Sequence, residues 1–224
     1  MARTREPSMG NDMTNSIKYK KYDASYEKEV INLFVQGFEN YPLFEIVRND
    51  FKTEERYHRF YRCFMKALFK ATIRRNACYI GINNGKVVGL VILDAPTDKP
   101  VGFLDYLLCG GLKPILQLGL SNSLKFLSLS DETEVVVKSI KEIRWHLYFL
   151  VVDPEHQGKG IGSDAIKYFL IPFVKDKEGK LITVTTNAKH NIQFYTNNGF
   201  SLIKEETLLY KNRTIENWSF RMDL

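Results

Sequence analysis

The chain has 224 residues, enough for one well-buried domain and more than a minimal one needs, so an insertion is expected. A net charge of +6 could draw nucleic acid, but the lysines are scattered and no basic stripe interleaved with aromatics appears; the charge reads as steering for a polyanionic ligand, and nucleic acid is not an expected partner. Cys63, Cys78 and Cys109 are an odd number at spacings that exclude a disulfide framework or a zinc site, and they read as free, mostly buried thiols.

Residues 1–15 are polar, carry Pro7 and Gly10, and lack the apolar centre of a signal peptide. They are expected to be a disordered tail ahead of a single domain over 16–224, in a cytoplasmic protein. Ser16 to Lys21 alternates Ile17 and Tyr19 with lysines and predicts a strand, and Ser25 to Phe38 predicts a helix with Val30, Ile31, Phe34 and Val35 on one face. Pro42 breaks that helix. Thr53 is placed to cap a second helix through Thr72, whose Tyr57, Tyr61, Phe64, Leu68 stripe reads as core. Ala77 to Ile82 and Lys86 to Leu93, joined by Asn83-Asn84-Gly85, predict a β-hairpin.

Residues 95–141 read as an apolar insertion with helical pieces around Phe103 to Leu108 and Leu112 to Phe126, split by Gly110-Gly111 and Pro114. The most apolar stretch, Val101 to Leu120, is interrupted by Asp105, Lys113 and Pro114 and is too broken to span a bilayer, so no membrane association is expected. Trp145 to Val152 predicts a strand, Ile161 to Val174 a helix, Leu181 to Thr186 a strand and Asn191 to Asn197 a short helix. Strands over Phe200 to Leu209 and Asn217 to Met222, with Asn212-Arg213-Thr214 near their turn, complete an α/β chain (α+β in its segregation) with a mixed, mostly antiparallel sheet.

The most informative run is Val152 to Ser163, which joins a strand to a helix through a loop with glycines at 158, 160 and 162. Such a loop lets backbone N–H groups approach an anion, and the following helix adds its unsatisfied N-terminal donors. A nucleotide-triphosphate P-loop fails here, because Asp153 stands where its first glycine belongs and Gly160 where its hydroxyl belongs. Gly160 to Ala165 fits the G-x-G-x-x-A dinucleotide fingerprint, yet the next strand runs into Asn187 and Ala188 in place of a ribose-binding acid.

Val152-x-Pro154-x-x-Gln157-x-x-Gly160-x-Gly162 instead resembles the acetyl-CoA signature of the GNAT N-acetyltransferase superfamily. Asn191-Ile192-Gln193-Phe194-Tyr195-Thr196-Asn197-Asn198-Gly199-Phe200 is similar to the N-x-x-F-Y-x-x-x-G-F segment that closes that site. From Trp145 to Phe200 the chain also resembles puromycin N-acetyltransferase-like members, including a proline, Pro172, inside the helix after the glycine loop. The resemblance implies helices flanking a sheet whose strands splay beside acetyl-CoA, the cosubstrate. It implies direct acetyl transfer to a primary amine of a small molecule by a monomer or homodimer. Acetylation of a protein N-terminus or lysine, or acyl-CoA binding without catalysis, are the competing readings. Segments like 95–141 shape the acceptor pocket in such proteins, although packing or dimerisation explains an apolar insertion equally well.

The same resemblance assigns roles. Amides of Gly158, Lys159, Gly160, Ile161, Gly162 and Ser163 would hold the pyrophosphate, with Gln157 in the motif and the Lys159 side chain adding charge or standing in solvent. Backbone groups of Leu150, Val151 and Val152 would pair with the pantetheine arm, one N–H meeting the oxyanion. Asn191 binds the cofactor arm or caps its helix. Tyr195 matches the general acid that protonates the leaving thiolate, against the plain role of a buried tyrosine. His146, which on regular alternation shares a face with Tyr148, Leu150 and Val152, is the candidate base for the acceptor ammonium, or else a core histidine. Where puromycin-type members carry a glutamate at the end of the next strand, this chain has Thr185. His156 and His190 read as loop residues, and no pair has metal-ligand spacing.

Overall fold

Residues 17–224 are described in the computed structural model; the expected disordered tail and Ser16 of the expected first strand lie outside the described residues. One seven-stranded sheet has the order β1-β2-β3-β4-β5-β7-β6. Its strands are β1 (Lys18–Lys21), β2 (Ala77–Asn83), β3 (Lys86–Asp94), β4 (Trp145–Val152), β5 (Leu181–Thr186), β6 (Ser201–Tyr210) and β7 (Arg213–Asp223). Every neighbouring pair is antiparallel except β4 and β5. The β2–β3 hairpin turns through Asn84 (φ 49°) and Gly85 (φ 78°), the pair of positive φ values that a type I′ turn demands and that Asn-Gly supplies at little strain.

The α1 (Glu27–Gly37), α2 (Pro42–Glu45) and α3 (Glu54–Ile73) helices follow β1, and Pro42 opens α2 at its first turn, where a missing N–H costs nothing. Thr53 caps α3 by accepting from the Arg56 amide at 3.3 Å, and Tyr57, Tyr61 and Phe64 are buried with Leu68 packed beside them. On α1 the buried residues are Val30, Leu33 and Phe34, while Ile31 and Val35 are partly buried against the same core. The insertion folds as α4 (Phe103–Tyr106), α5 (Leu112–Leu118), α6 (Leu120–Glu132) and α7 (Val135–Lys138). It is tied down at its end by Asn217, whose side-chain amide donates to the Thr133 carbonyl at 3.0 Å. It also presents Leu112, Leu116, Leu120 and Leu124 to the outside, so only one side of these helices is used in packing.

After the glycine loop come α8 (Ile161–Asp164) and α9 (Ile171–Asp176), joined by a π-helical stretch over Ala165–Leu170. Pro172 lies just after that wider turn, where its ring and missing N–H interrupt an α-helical ladder least. The last helix is α10 (His190–Asn197). Two cores result. One, under α1, α3 and the insertion, includes Phe34, Phe69, Ile92 and Val151; the other, under α8, α9 and α10, includes Leu93, Leu147, Ile166, Leu170 and Phe220.

Three expectations need correction. The strand expected from Asn217 begins at Arg213, with Lys211 (φ 57°) and Asn212 as the turn. The reason is long-range: Asp50 accepts from the Tyr210 hydroxyl at 2.8 Å, pairs with Lys211 at 2.9 Å and binds Arg213, which holds the hairpin end in register. Second, a bulge at Tyr148 breaks β4, since Ile92 pairs with Phe149 but Leu93 with Leu147. His146, Tyr148, Leu150 and Val152 therefore do not share one face: Tyr148, Phe149 and Val151 pack on the first core and Leu147 and Leu150 on the second. Third, only Cys78 is buried, its thiol pushed up to about 12 by burial, while Cys63 and Cys109 are half-buried; all three are free.

Candidate active site

Beyond the bulge, β4 and β5 part. They are in register only at Trp145↔Ile182 and His146↔Thr183, so the rest of β4 has no partner on that side. The Asp153 amide donates to the Val88 carbonyl at 3.0 Å on the β3 side, and antiparallel alternation assigns Val151 to the same side. The backbone groups of Leu150 and Val152 therefore point to the opening, as expected for two of the three residues, whereas those of Val151 belong to the β3 ladder. Gln157 Nε2 donates to the Val152 carbonyl at 3.1 Å, which fixes the start of the loop to the strand end.

The loop itself begins with Asp153 capping a short turn, its carboxylate accepting from the Glu155 amide at 3.0 Å. Gly158 and Gly160 have φ of 75° and 83°, the left-handed region where a side chain is strained, and a Cβ on either would meet nothing within 4 Å. Gly162 is glycine for a different reason: a Cβ there would lie 3.1 Å from the Phe194 ring, so α8 packs close against α10. Among the described residues no carbonyl or side-chain oxygen accepts from the amides of Gly158 through Ser163. A run of unpaired donors over open space fits a pyrophosphate. Lys159 folds back to donate to the Glu155 carbonyl at 2.9 Å, and the Ser163 hydroxyl accepts from Asn198 at 3.1 Å, so these two side chains brace the loop.

Tyr195 is buried on α10 between Phe200 (5.4 Å between ring centroids) and Phe220 (5.6 Å), and it lines a cavity of about 330 Å³ that opens at the splay. No group among the described residues hydrogen-bonds to its hydroxyl. Burial raises its pKa, with nearby Tyr41 adding to the effect, so the phenol keeps its proton across neutral pH. Asn191 is not the cap of α10. It lies inside the helix and donates to Thr186 Oγ1 at 2.9 Å. Tyr41, which sequence reading did not single out, reaches the same group: its hydroxyl lies 3.2 Å from Thr186 Oγ1 and accepts from the Asn187 amide at 2.8 Å. Thr185 also lines the cavity.

His146 is buried and lines the cavity as well. Its Nδ1 lies 2.9 Å from Thr183 Oγ1, which is itself 3.3 Å from the Trp145 carbonyl; the tautomer with hydrogen on Nδ1 lets the hydroxyl donate to that carbonyl and leaves Nε2 as an acceptor. Burial, reinforced by Arg144 and Lys138, pushes the imidazole down to about 3. It is neutral at pH 7, as a base must be, but it holds a captured proton poorly. Across the β3–β4 ladder its partner is Asp94, a cavity carboxylate that sequence reading missed because nothing local marks the end of a hairpin strand as part of a site. Burial, with Asp98 and Glu134 nearby and against Arg144 and Lys138, raises Asp94 to about 6. Of the other histidines, His156 lies 3.2 Å from Asp153 in the loop and His190 is exposed at the start of α10. Among the described residues there is no His/Cys/Asp/Glu group able to hold a metal ion.

The splayed parallel pair, the donor loop and the tyrosine on the helix after β5 define an acyl-CoA-dependent acyltransferase. A model of the acetyltransferase (GNAT) family matches residues 40–200, and the chain belongs to that family; acetyl-CoA is its cosubstrate. No curated protein sequence matches the chain. Among solved structures it is similar to a Drosophila melanogaster polyamine N-acetyltransferase that forms N-acetylagmatine (14% identity, 93% of this chain and 100% of that one, TM-score 0.57). It is likewise similar to a protein described as histone acetyltransferase HPA2 and related acetyltransferase from Corynebacterium glutamicum (14%, 93% and 97%, TM-score 0.58). A third is a GNAT family acetyltransferase from Elizabethkingia anophelis with acetyl-CoA bound (13%, 94% and 99%, TM-score 0.50). At these identities the likeness shows the fold.

Proposed function

We propose that the protein transfers acetyl directly from acetyl-CoA to a primary amine of a small molecule, without a covalent enzyme intermediate. The observation that carries this reading is the cavity of about 330 Å³, which joins the opening beside Leu150 to Tyr195 and is partly walled by the insertion. Its volume lies in the range of small-ligand pockets, while a protein tail calls for an open groove. That a structural neighbour forms N-acetylagmatine is in keeping with a small amine acceptor.

In this reading the amides of Gly158 through Ser163 bind the pyrophosphate, and Leu150 and Val152 present backbone groups to the pantetheine arm and the oxyanion. Asn191 and Tyr41 position the end of β5, and Tyr195 gives its proton to the departing thiolate. The acceptor ammonium loses its proton to water in the cavity, with the neutral Nε2 of His146 serving as hydrogen-bond acceptor in that relay. Among the described residues no helix is long and apolar enough to cross a membrane. A cytoplasmic location is part of the proposal. The test is a panel of primary amines with acetyl-CoA, read by release of free CoA and by the mass of the product. Acetylation of peptide N-termini or lysines in preference to every small amine would overturn the reading.

A further inference from the structure

The part of the cavity around the C-terminal end of β3 is built for a cation. Asn76, just after α3, is 8% exposed and lines the cavity, and its Nδ2 donates to Asp94 Oδ1 at 3.2 Å. That bond fixes the amide orientation, since a carboxylate repels an amide oxygen. It leaves Asn76 Oδ1 buried with no hydrogen-bond partner. Asp94 Oδ2 is likewise without a partner, and among the described residues no basic side chain lies within ion-pair distance of Asp94. An unpartnered buried carbonyl oxygen costs about 1–3 kcal/mol, so such an atom beside a free carboxylate oxygen calls for a donor. Two further carboxylates, Asp131 and Glu134, line the cavity against one lysine, Lys138, which lies 3.0 Å from Glu134 and 3.9 Å from Asp131. The cavity is thus acidic in a protein of net charge +6.

Position gives the length of the ligand. Asp94 is opposite His146, and Leu150, where β4 opens for the cosubstrate, is four residues along the strand. With the strand rise and the bulge, that is roughly 10 Å. The wall between includes Phe38, Phe44, Tyr148 and Phe149, an aromatic surface suited to a methylene chain. We propose that Asp94 and Asn76 form a distal cation subsite, so that the preferred acceptor is an amine bearing a second ammonium or guanidinium group about 10 Å from the nitrogen that is acetylated. Its N–H groups donate to Asp94 Oδ2, and its positive charge is favoured by the buried Asn76 Oδ1 beside that carboxylate. This inference rests on the N-acetyltransferase reading and specifies its substrate class.

The test compares α,ω-diaminoalkanes with n-alkylamines of the same length, about eight carbons, in the wild type and in Asp94→Asn and Asn76→Leu. The expected result is a diamine-to-monoamine ratio of kcat/KM of at least about ten at pH 8, falling about tenfold or more in each variant. Because Asp94 sits near pH 6 among Asp98, Glu134, Arg144 and Lys138, the wild-type ratio also falls as pH drops through about 6 and the carboxylate takes a proton, while the distal ammonium stays charged. Calorimetric titration of the diamine into protein saturated with CoA reads the subsite without turnover, and CoA affinity in each variant verifies folding. A wild-type ratio near one, or a ratio unchanged in both folded variants, overturns the subsite and leaves the transferase reading standing. Diamine binding that depends on Asp94, with no amine acetylated, upholds the subsite and overturns the transferase reading.

Discussion

Gly160→Ala separates the two things glycine does in the cosubstrate loop. The residue has φ 83° and open space around its Cβ direction, so alanine meets no atom and its cost to the folded protein is the left-handed backbone alone, about 1–2 kcal/mol. For a chain of this size that lowers the melting temperature by roughly 2–8 °C. The same open space is where a phosphate would approach the unpaired amides of residues 158–163, so the new methyl also obstructs binding, and CoA affinity should fall at least about tenfold, or about 1.4 kcal/mol. Gly110 is the internal control. It too has left-handed backbone, φ 95° and ψ 13°, with nothing within 4 Å of a Cβ, but it lies in the insertion between α4 and α5. Gly110→Ala should show a similar melting shift with CoA affinity unchanged. Calorimetric titration with CoA and thermal melts on both variants suffice. A folded Gly160→Ala protein that binds CoA as tightly as wild type would refute the placement of the pyrophosphate.

Tyr195→Phe should lower kcat by roughly 10²–10⁴ with CoA affinity preserved; wild-type turnover, with chemistry shown to be rate-limiting, would reduce Tyr195 to a packing residue. His146, held near 3 in the folded protein against 6.5 unfolded, opposes folding once the unfolded state takes its proton. Its contribution is complete above about pH 6.5 and is lost as pH falls toward 3, so His146→Gln should flatten the acid limb of a stability-against-pH curve by up to several kcal/mol. The wild-type kcat/KM profile should then carry no step near 6.5 that vanishes in His146→Gln, and finding one would restore the imidazole as the terminal base. Tyr41→Phe leaves the buried Asn187 amide without its acceptor and should cost about 1–3 kcal/mol in denaturant titrations; a loss within about 0.3 kcal/mol would show that the contact contributes little.

What could be read from the sequence was what is local. The Asn84-Gly85 turn, the Thr53 cap and the span of β4 follow from short-range chemistry, and the glycine loop and the Asn191 to Phe200 segment carry the family resemblance on adjacent residues. The parity of His146 with Leu150 could not be read, because a bulge is a property of two strands and its cause lies in how β3 and β4 meet. Tyr41 and Asp94 were missed for a related reason. Tyr41 meets its partner Thr186 at a separation of 145 residues, and Asp94 acquires its neighbours only when α3 and the insertion fold over the end of β3. The start of β7 was misplaced because Asp50, far upstream, anchors the hairpin end.

The bulge and the splay together account for why the site lies where it does. A regular β4 would stay paired with β5 and would keep His146 and Leu150 on one side, closing the sheet between the two cores. With one extra residue at Tyr148, the strand turns Tyr148, Phe149 and Val151 toward the core under α1 and α3 and sends Leu150 to the core under α8 and α10. The gap that opens beside Leu150 therefore connects two compartments. Tyr195 and the glycine loop belong to one, and His146, Asp94 and Asn76 reach the cavity from the other. On the proposed reading, a thioester entering from the cosubstrate side would meet an amine entering from the acidic side at that gap, with Tyr195 on one side of the reacting carbon and His146, Asp94 and Asn76 on the other.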